Sequence, residues 1–194
     1  MAIQLENSFV VQVPPQRAWD VLLDVPLVVS CMPGAELVDT VGENAWKTKL
    51  TVKLGPMTFV FAADVERNEV EPEMGRMVMT SKARELKGRG GATARIESTL
   101  HAVDGGTQVD IVADVNLSGT AAQFGRPVVK DVARQLVARF ASCLQVKLGE
   151  DATEAGADAE RNLTSAVPAE PLSGLSLLLR ALARPLTRLL RLGG

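Results

Sequence analysis

The sequence predicts an α+β fold: a curved antiparallel sheet of about six to seven strands wrapped around one long C-terminal helix, followed by a linker and a short tail helix. Three observations carry this. Between residues 3 and 117, apolar residues repeatedly alternate with polar ones, and Gly- or Pro-containing turns separate the runs. Over 122–148 the apolar spacing lengthens to four. Beyond that the charge turns over twice: residues 1–149 carry net −1, residues 150–171 net −5 and residues 172–194 net +4.

Each element has its own signal. Ile3, Leu5, Phe9, Val11 and Val13 share one parity, with Gln4, Glu6, Ser8 and Gln12 on the other, which describes a half-buried strand. Pro14-Pro15 then opens a short helix containing Ala18, Trp19, Leu22 and Leu23, since proline suits a first helical turn. A second short helix, around Pro26–Ser30, ends at Met32-Pro33-Gly34. Trp46, Thr48, Leu50, Val52 and Leu54 form a strand that stops at Gly55-Pro56, and Met57, Phe59, Phe61, Ala63 and Val65 form the next. Met77, Met79, Ser81 and Ala83 follow Met74-Gly75, then come Ala92, Ala94, Ile96, Ser98 and Leu100. Val109, Ile111, Ala113, Val115 and Leu117 follow Asp104-Gly105-Gly106. Phe124, Val128, Val132, Leu136, Phe140 and Leu144 then mark one amphipathic helix from about Ala122 to Leu148. An antiparallel sheet has an apolar face to cover, and this helix carries the long apolar stripe that covers it.

The domain organisation follows: a folded domain at 1–148, a linker at 149–171 and a tail at 172–194. The linker is acidic and Ala-rich with no periodic apolar stripe, so it is expected to be flexible, spanning about 26 Å as a random coil. In the tail, at about 100° per residue, Arg180, Arg184, Arg188 and Arg191 fall within one narrow arc. Leu175, Leu178, Leu179, Leu182, Leu186, Leu189 and Leu190 fall opposite. Four arginines argue against a spanning helix, and this division of faces suits a helix lying in an anionic membrane interface, kinked or divided at Pro185. The alternative is a helix that packs on a partner or on its own domain.

Composition excludes much else. The chain has 194 residues, 46% hydrophobic and 23% charged, as an ordinary soluble domain has. Aromatics are 4% with no tyrosine, and net charge is −2, so neither base stacking nor polyanion binding is favoured and no nucleic acid is expected. One histidine and two cysteines exclude a His- or Cys-rich metal site and a disulfide scaffold. Cys31 and Cys143 lie in no CxxC pair and read as buried free thiols of a cytosolic protein, with a reactive or ligating role as the alternative. The opening MAIQLENSF lacks the pattern of a secretory signal. The shortage of histidine and the absence of tyrosine argue against an enzyme.

The order of elements resembles the helix-grip fold of the START-like superfamily, whose members hold hydrophobic ligands between sheet and helix. CMPGAE at 31–36, LGPM at 54–57, GRGGATARIESTL at 88–100 and SGTAAQFGRPVVKDVARQLVARF at 118–140 together resemble the carbon monoxide dehydrogenase G-subunit family, over roughly residues 1–148. The resemblance implies association with an aerobic molybdenum CO dehydrogenase and a link between that enzyme and the membrane or its quinone pool. It points to a non-enzymatic, quinone-binding adaptor that holds menaquinone or ubiquinone non-covalently and sits on the cytoplasmic face of the membrane. A ligand-free scaffold that recruits the dehydrogenase is one alternative; a lipid-binding protein or an enzyme with another small hydrophobic ligand is a second.

The candidate cavity residues are Phe59, Phe61, Met77, Met79, Phe124, Val128, Val132 and Leu136, taken from the sheet and the long helix. Asn7, Thr48, Ser81 and Ser98 share parity with apolar residues. They bond either to backbone and water or to a ligand carbonyl, because an unpaired buried polar group is costly. Met57, Met74, Met77 and Met79 read as adaptable packing or as cavity lining. His101 falls on an outward face. Lys82, Arg84, Lys87 and Arg89 mark a solvated hairpin end or a docking patch. GRGG at 88–91 lies between two strands and so lacks the setting of a phosphate loop.

Overall fold

The computed structural model describes residues 1–164, with side chains through Gly149. The chain divides into two units, Met1–Ala152 and Thr153–Gly194. The first unit is a seven-stranded antiparallel sheet with three α-helices, one of which continues into the second unit. Strand β1 (Ala2–Val11) leads into helices α1 (Pro15–Leu23) and α2 (Val25–Cys31). Strands β2 (Ala35–Gly42), β3 (Ala45–Leu54), β4 (Met57–Glu71), β5 (Arg76–Glu85), β6 (Gly91–Val103) and β7 (Gly106–Ser118) follow. A 3₁₀ segment, Gly119–Phe124, opens into helix α3, Gly125–Thr164. The sheet order is β1-β7-β6-β5-β4-β3-β2, so β1 and β2 are its edges and β1 pairs with the last strand.

The helices begin where the sequence allows. Pro15 and Pro26 each occupy a first turn, where a missing N–H costs nothing, and the Asp24 carboxylate accepts from the Leu27 N–H at 3.1 Å to cap α2. The Gly-rich run before β6 is explained by packing. A Cβ on Gly90 would lie 2.7 Å from the Ser118 carbonyl oxygen, and Gly119 sits against Gly90 with a left-handed φ of +72°. Glycine is therefore needed where the β5–β6 hairpin meets the end of β7. Arg67 ties β4 to its surroundings, donating to Asn44, to the Leu23 carbonyl and to the Glu43 carbonyl while lying over the Trp46 ring.

Two apolar clusters hold the domain. The larger joins Val11, Trp19, Leu22, Met77, Leu100 and Val109 to Phe140, Leu144 and Leu148 of α3. The smaller joins Leu54, Phe59, Phe61 and Ala121, with Phe124 and Val132 packed on it. On the exposed side of the sheet, Arg76 contacts Glu69 at 2.8 Å, Glu71 at 3.0 Å and both carboxylate oxygens of Glu97 at 3.1 Å. The Arg76 guanidinium, followed by that of Arg95, holds the Glu97 carboxyl below the usual carboxylate range.

Four expectations are corrected. Strand β2 is absent from the runs that alternation picks out: it is an edge, exposed along nearly its whole length and interrupted by register shifts, so it has no buried parity to display. The long helix starts at Gly125, because the residues just before it wind as 3₁₀. The chain expected to be flexible from 149 remains helical to Thr164, as its alanines and glutamates are good helix formers and extending an existing helix costs little. Residues 165–171 lie outside the described residues. Finally, Cys31 and Cys143 are not free: they form a disulfide between the end of α2 and α3, their Cα atoms 5.4 Å apart. A separation of 112 residues gives no local sign of this pairing, which the packing of α2 beside α3 creates. With both thiols paired, neither cysteine speaks for a reducing compartment.

Closing so long a loop stabilises by restricting the unfolded chain, so Cys143→Ser should lower unfolding free energy by about 2–5 kcal/mol. Chemical denaturation of the two proteins without reductant checks this, and with reductant the difference should vanish. A second expectation concerns acid. Because the folded state lowers the Glu97 pKa, its stabilising share is present above the unfolded value and lost as pH falls through the folded one. The stability gap between the native chain and Arg76→Met should therefore shrink on acidification, as melting curves at stepped pH would record.

Candidate functional site

Between the two clusters lies a cavity of about 440 Å³. The side chains on its floor are short. Ala63, Ala83, Ala92, Ala94 and Ala113 come from the concave face of β4–β7, where residues of one parity point at the helix. Leu50, Val52, Val65, Ile96 and Val115 fill in around them. Helix α3 closes the space with Val129, Val132, Ala133 and Leu136, and α2 contributes Val25, Val28 and Val29, with Met32 just beyond it. The void exists because alanine falls short of the helix where phenylalanine or leucine would reach it. Packed interiors tolerate few such gaps.

The wall is apolar apart from two hydroxyls, Thr48 on β3 and Ser81 on β5. Neither makes a hydrogen bond within the described residues. No side chain of the wall is charged. Such a space favours an uncharged, largely hydrocarbon ligand with one or two acceptors for the hydroxyls.

The expected cavity residues divide. Phe61, Met79, Val132 and Leu136 stand on the wall, as do Thr48 and Ser81. Phe59 and Phe124 do not: they pack edge to face at 5.8 Å and form one closed end. Met77 is buried in the larger cluster at the other end, against Leu100 and Val109. Val128 is 37% exposed. A row of four-residue steps drifts by about 40° per step around a helix of 3.6 residues per turn, and this carries Val128 off the buried side. Ser98, opposite Met77 in the β5–β6 pairing, is not on the wall. Asn7 lies outside the cavity, in a separate groove of about 660 Å³ along the β1 edge, with Arg126, Lys130 and Arg134 of α3.

Sequence reasoning found α2 without placing it on the cavity wall, and it passed over the alanine floor. The alanines were visible as inward-parity residues, but a search for large side chains reads the cavity's border rather than its interior. His101 lies 3.5 Å from Asp110 on the exposed face, and among the described residues no group of His, Cys, Asp or Glu is arranged to hold a metal. The tail residues Leu175, Leu178, Leu179, Leu182, Leu186, Leu189, Leu190, Arg180, Arg184, Arg188 and Arg191 lie outside the described residues.

A tryptophan at Val132, on the cavity wall beside the smaller cluster, would take up space that a ligand needs. Val132→Trp should leave a folded domain, if about 1–3 kcal/mol of overpacking is tolerated, and should abolish binding of menadione measured by fluorescence quenching.

The chain is similar to known proteins in both sequence and fold. The family model for the carbon monoxide dehydrogenase protein CoxG matches residues 8–149. No curated relative matches the chain. Among solved structures, a conserved protein from Geobacillus kaustophilus superposes with a TM-score of 0.66 at 19% identity, over 76% of this chain and 96% of that one. The ZhuI aromatase/cyclase from Streptomyces sp. R1128 gives 0.54 at 13% identity, over 77% and 94%. A START superfamily protein from Mycobacterium smegmatis gives 0.51 at 12% identity, over 76% and 97%. At these identities the structural likenesses establish the fold.

Proposed function

Because the chain belongs to the carbon monoxide dehydrogenase CoxG family and encloses an apolar cavity, we propose that it is a non-enzymatic carrier that holds a lipophilic quinone, menaquinone or ubiquinone, and links a molybdenum CO dehydrogenase to the membrane quinone pool. The observation that carries this reading is the cavity wall: hydrocarbon apart from the Thr48 and Ser81 hydroxyls, which are unpaired within the described residues and so available to quinone carbonyls. A quinone ring buried there exchanges water for alkyl contacts at about 25 cal/mol per Å² of apolar surface. The wall has no titratable side chain, which suits holding a ligand better than acid–base chemistry on it.

Membrane attachment belongs to the same proposal. No helix among the described residues is long and apolar enough to cross a membrane. The alternation of leucines and arginines in 172–194 suits peripheral binding to an anionic surface, with the dehydrogenase as the partner on the other side of the exchange.

The primary test is organic extraction of the purified full chain followed by mass spectrometry. A co-purifying prenylated quinone supports the carrier; an empty protein that also fails to bind added menaquinone returns the choice to a ligand-free scaffold. Attachment is tested separately. Truncation after Pro171 should abolish co-sedimentation with anionic vesicles and leave the melting temperature nearly unchanged. Added salt should weaken binding of the full chain without removing it, because leucine burial is not screened.

A further inference from the structure

The groove beside β1 adjoins the cavity. Leu5 and Val115 line both, so these two side chains are the partition between them. On α3 the two linings are neighbouring stripes. With about 100° per residue, Val129, Val132, Ala133 and Leu136 cluster on one side, and Arg126, Lys130 and Arg134 follow at the adjacent arc, one turn apart from each other.

The charges of the groove are unevenly used. Arg126 and Lys130 have no ion-pair partner among the described residues, and Arg134 reaches only Asp131, at 3.1 Å on the exposed helix surface. Two carboxylates also border the groove. Asp114 accepts from the Gln4 amide at 3.0 Å, and both it and Glu6 fall on the strand parity opposite to Leu5 and Val115, directed away from the helix. What faces the three cations from the sheet is Ile3, Leu5 and the Asn7 amide, which makes no hydrogen bond within the described residues. Cations above an apolar step that leads into an apolar cavity have the polarity profile of an anionic amphiphile. A neutral quinone makes no use of the cations.

We propose that this groove is a headgroup site for an anionic membrane phospholipid, its phosphate held by Arg126, Lys130 and Arg134 with the Asn7 amide donating to a phosphate oxygen, and that it marks the entrance by which lipophilic ligand passes Leu5 and Val115. The inference rests on the reading of the cavity as a ligand site and adds where and on what surface that ligand is exchanged. Arginine and lysine serve phosphate through charge-assisted hydrogen bonds, and such contacts at an exposed groove weaken with salt.

The test uses the full chain with dihexanoyl phosphatidylglycerol below its micelle concentration, titrated by NMR. Dihexanoyl phosphatidylcholine and inorganic phosphate are the comparisons, and menadione is titrated in parallel. Phosphatidylglycerol should bind about tenfold tighter than phosphatidylcholine, with most of the preference lost at about 0.5 M salt. Arg126→Glu with Lys130→Glu should erase the preference and leave menadione affinity unchanged; should that pair fail to fold, Arg126→Met with Lys130→Met serves. Binding is read from the amide resonances of residues 5–7 and 115 in the groove, so lipid held by the tail arginines, which are the same in every protein, is not counted. A preference that survives the groove substitutions overturns the headgroup site while leaving the quinone reading intact. Displacement of phosphatidylglycerol by equimolar inorganic phosphate overturns it too, in favour of a free-anion site. Absence of menadione binding in every protein, with the lipid preference present and groove-dependent, instead overturns the quinone reading.

Discussion

The domain depends on one geometric mismatch: a wide, curved sheet has a single concave face, and one helix must cover it. Helix α3 meets the sheet firmly at two places. Phe140, Leu144 and Leu148 lock into the cluster built on Val11, Met77 and Val109, while Val132, with Phe124 of the 3₁₀ segment that leads into the helix, packs on the cluster of Phe59 and Phe61. Between these anchors the sheet presents alanine, and the helix, held at both ends, does not descend to meet it. A cavity that costs packing energy thus persists because the contacts on either side of it are good.

The disulfide and α2 complete this arrangement. Helix α2 has only seven residues, too short to be stable alone, yet it supplies three valines to the cavity wall. Its position is set by the Asp24 cap at one end and by the Cys31–Cys143 bond at the other. The covalent tie joins the cavity's side wall to its lid. The Arg76 network, by contrast, is confined to the exposed face and keeps its charges off the concave one.

The fold places polarity at the rim of this apolar space. Thr48 and Ser81 offer hydroxyls inside it, and Arg126, Lys130 and Arg134 stand just outside it, on the neighbouring stripe of the same helix. One helix therefore serves three purposes along adjacent faces: anchoring residues at its ends, cavity residues in between and cations at the edge. The family to which the chain belongs is named for a carbon monoxide dehydrogenase.

Much of the fold was legible because strand alternation and helical spacing are local properties. Six of the seven strands, both short helices and the long one could be read from the spacing of residues such as Trp46, Phe59, Ile111 and Phe140. Strand β2 could not, since an exposed edge has no apolar parity. The site was legible in part. Phe61, Met79, Thr48, Ser81, Val132 and Leu136 share the inward parity or stripe, and the structure puts them around one space. Phe59, Phe124 and Met77 have the same parity or spacing but lie at its closed ends, a difference of position along the sheet that parity does not encode. Which residues face the helix is determined by the sequence itself, through the two-residue and 3.6-residue periods. Whether a facing residue fills space or borders it was decided only by tertiary structure, as were the pairing of Cys31 with Cys143 and the placing of Asn7 and Arg126 along one groove. Each depends on the distance between elements far apart in the chain, and that distance is set by the packing of all of them together.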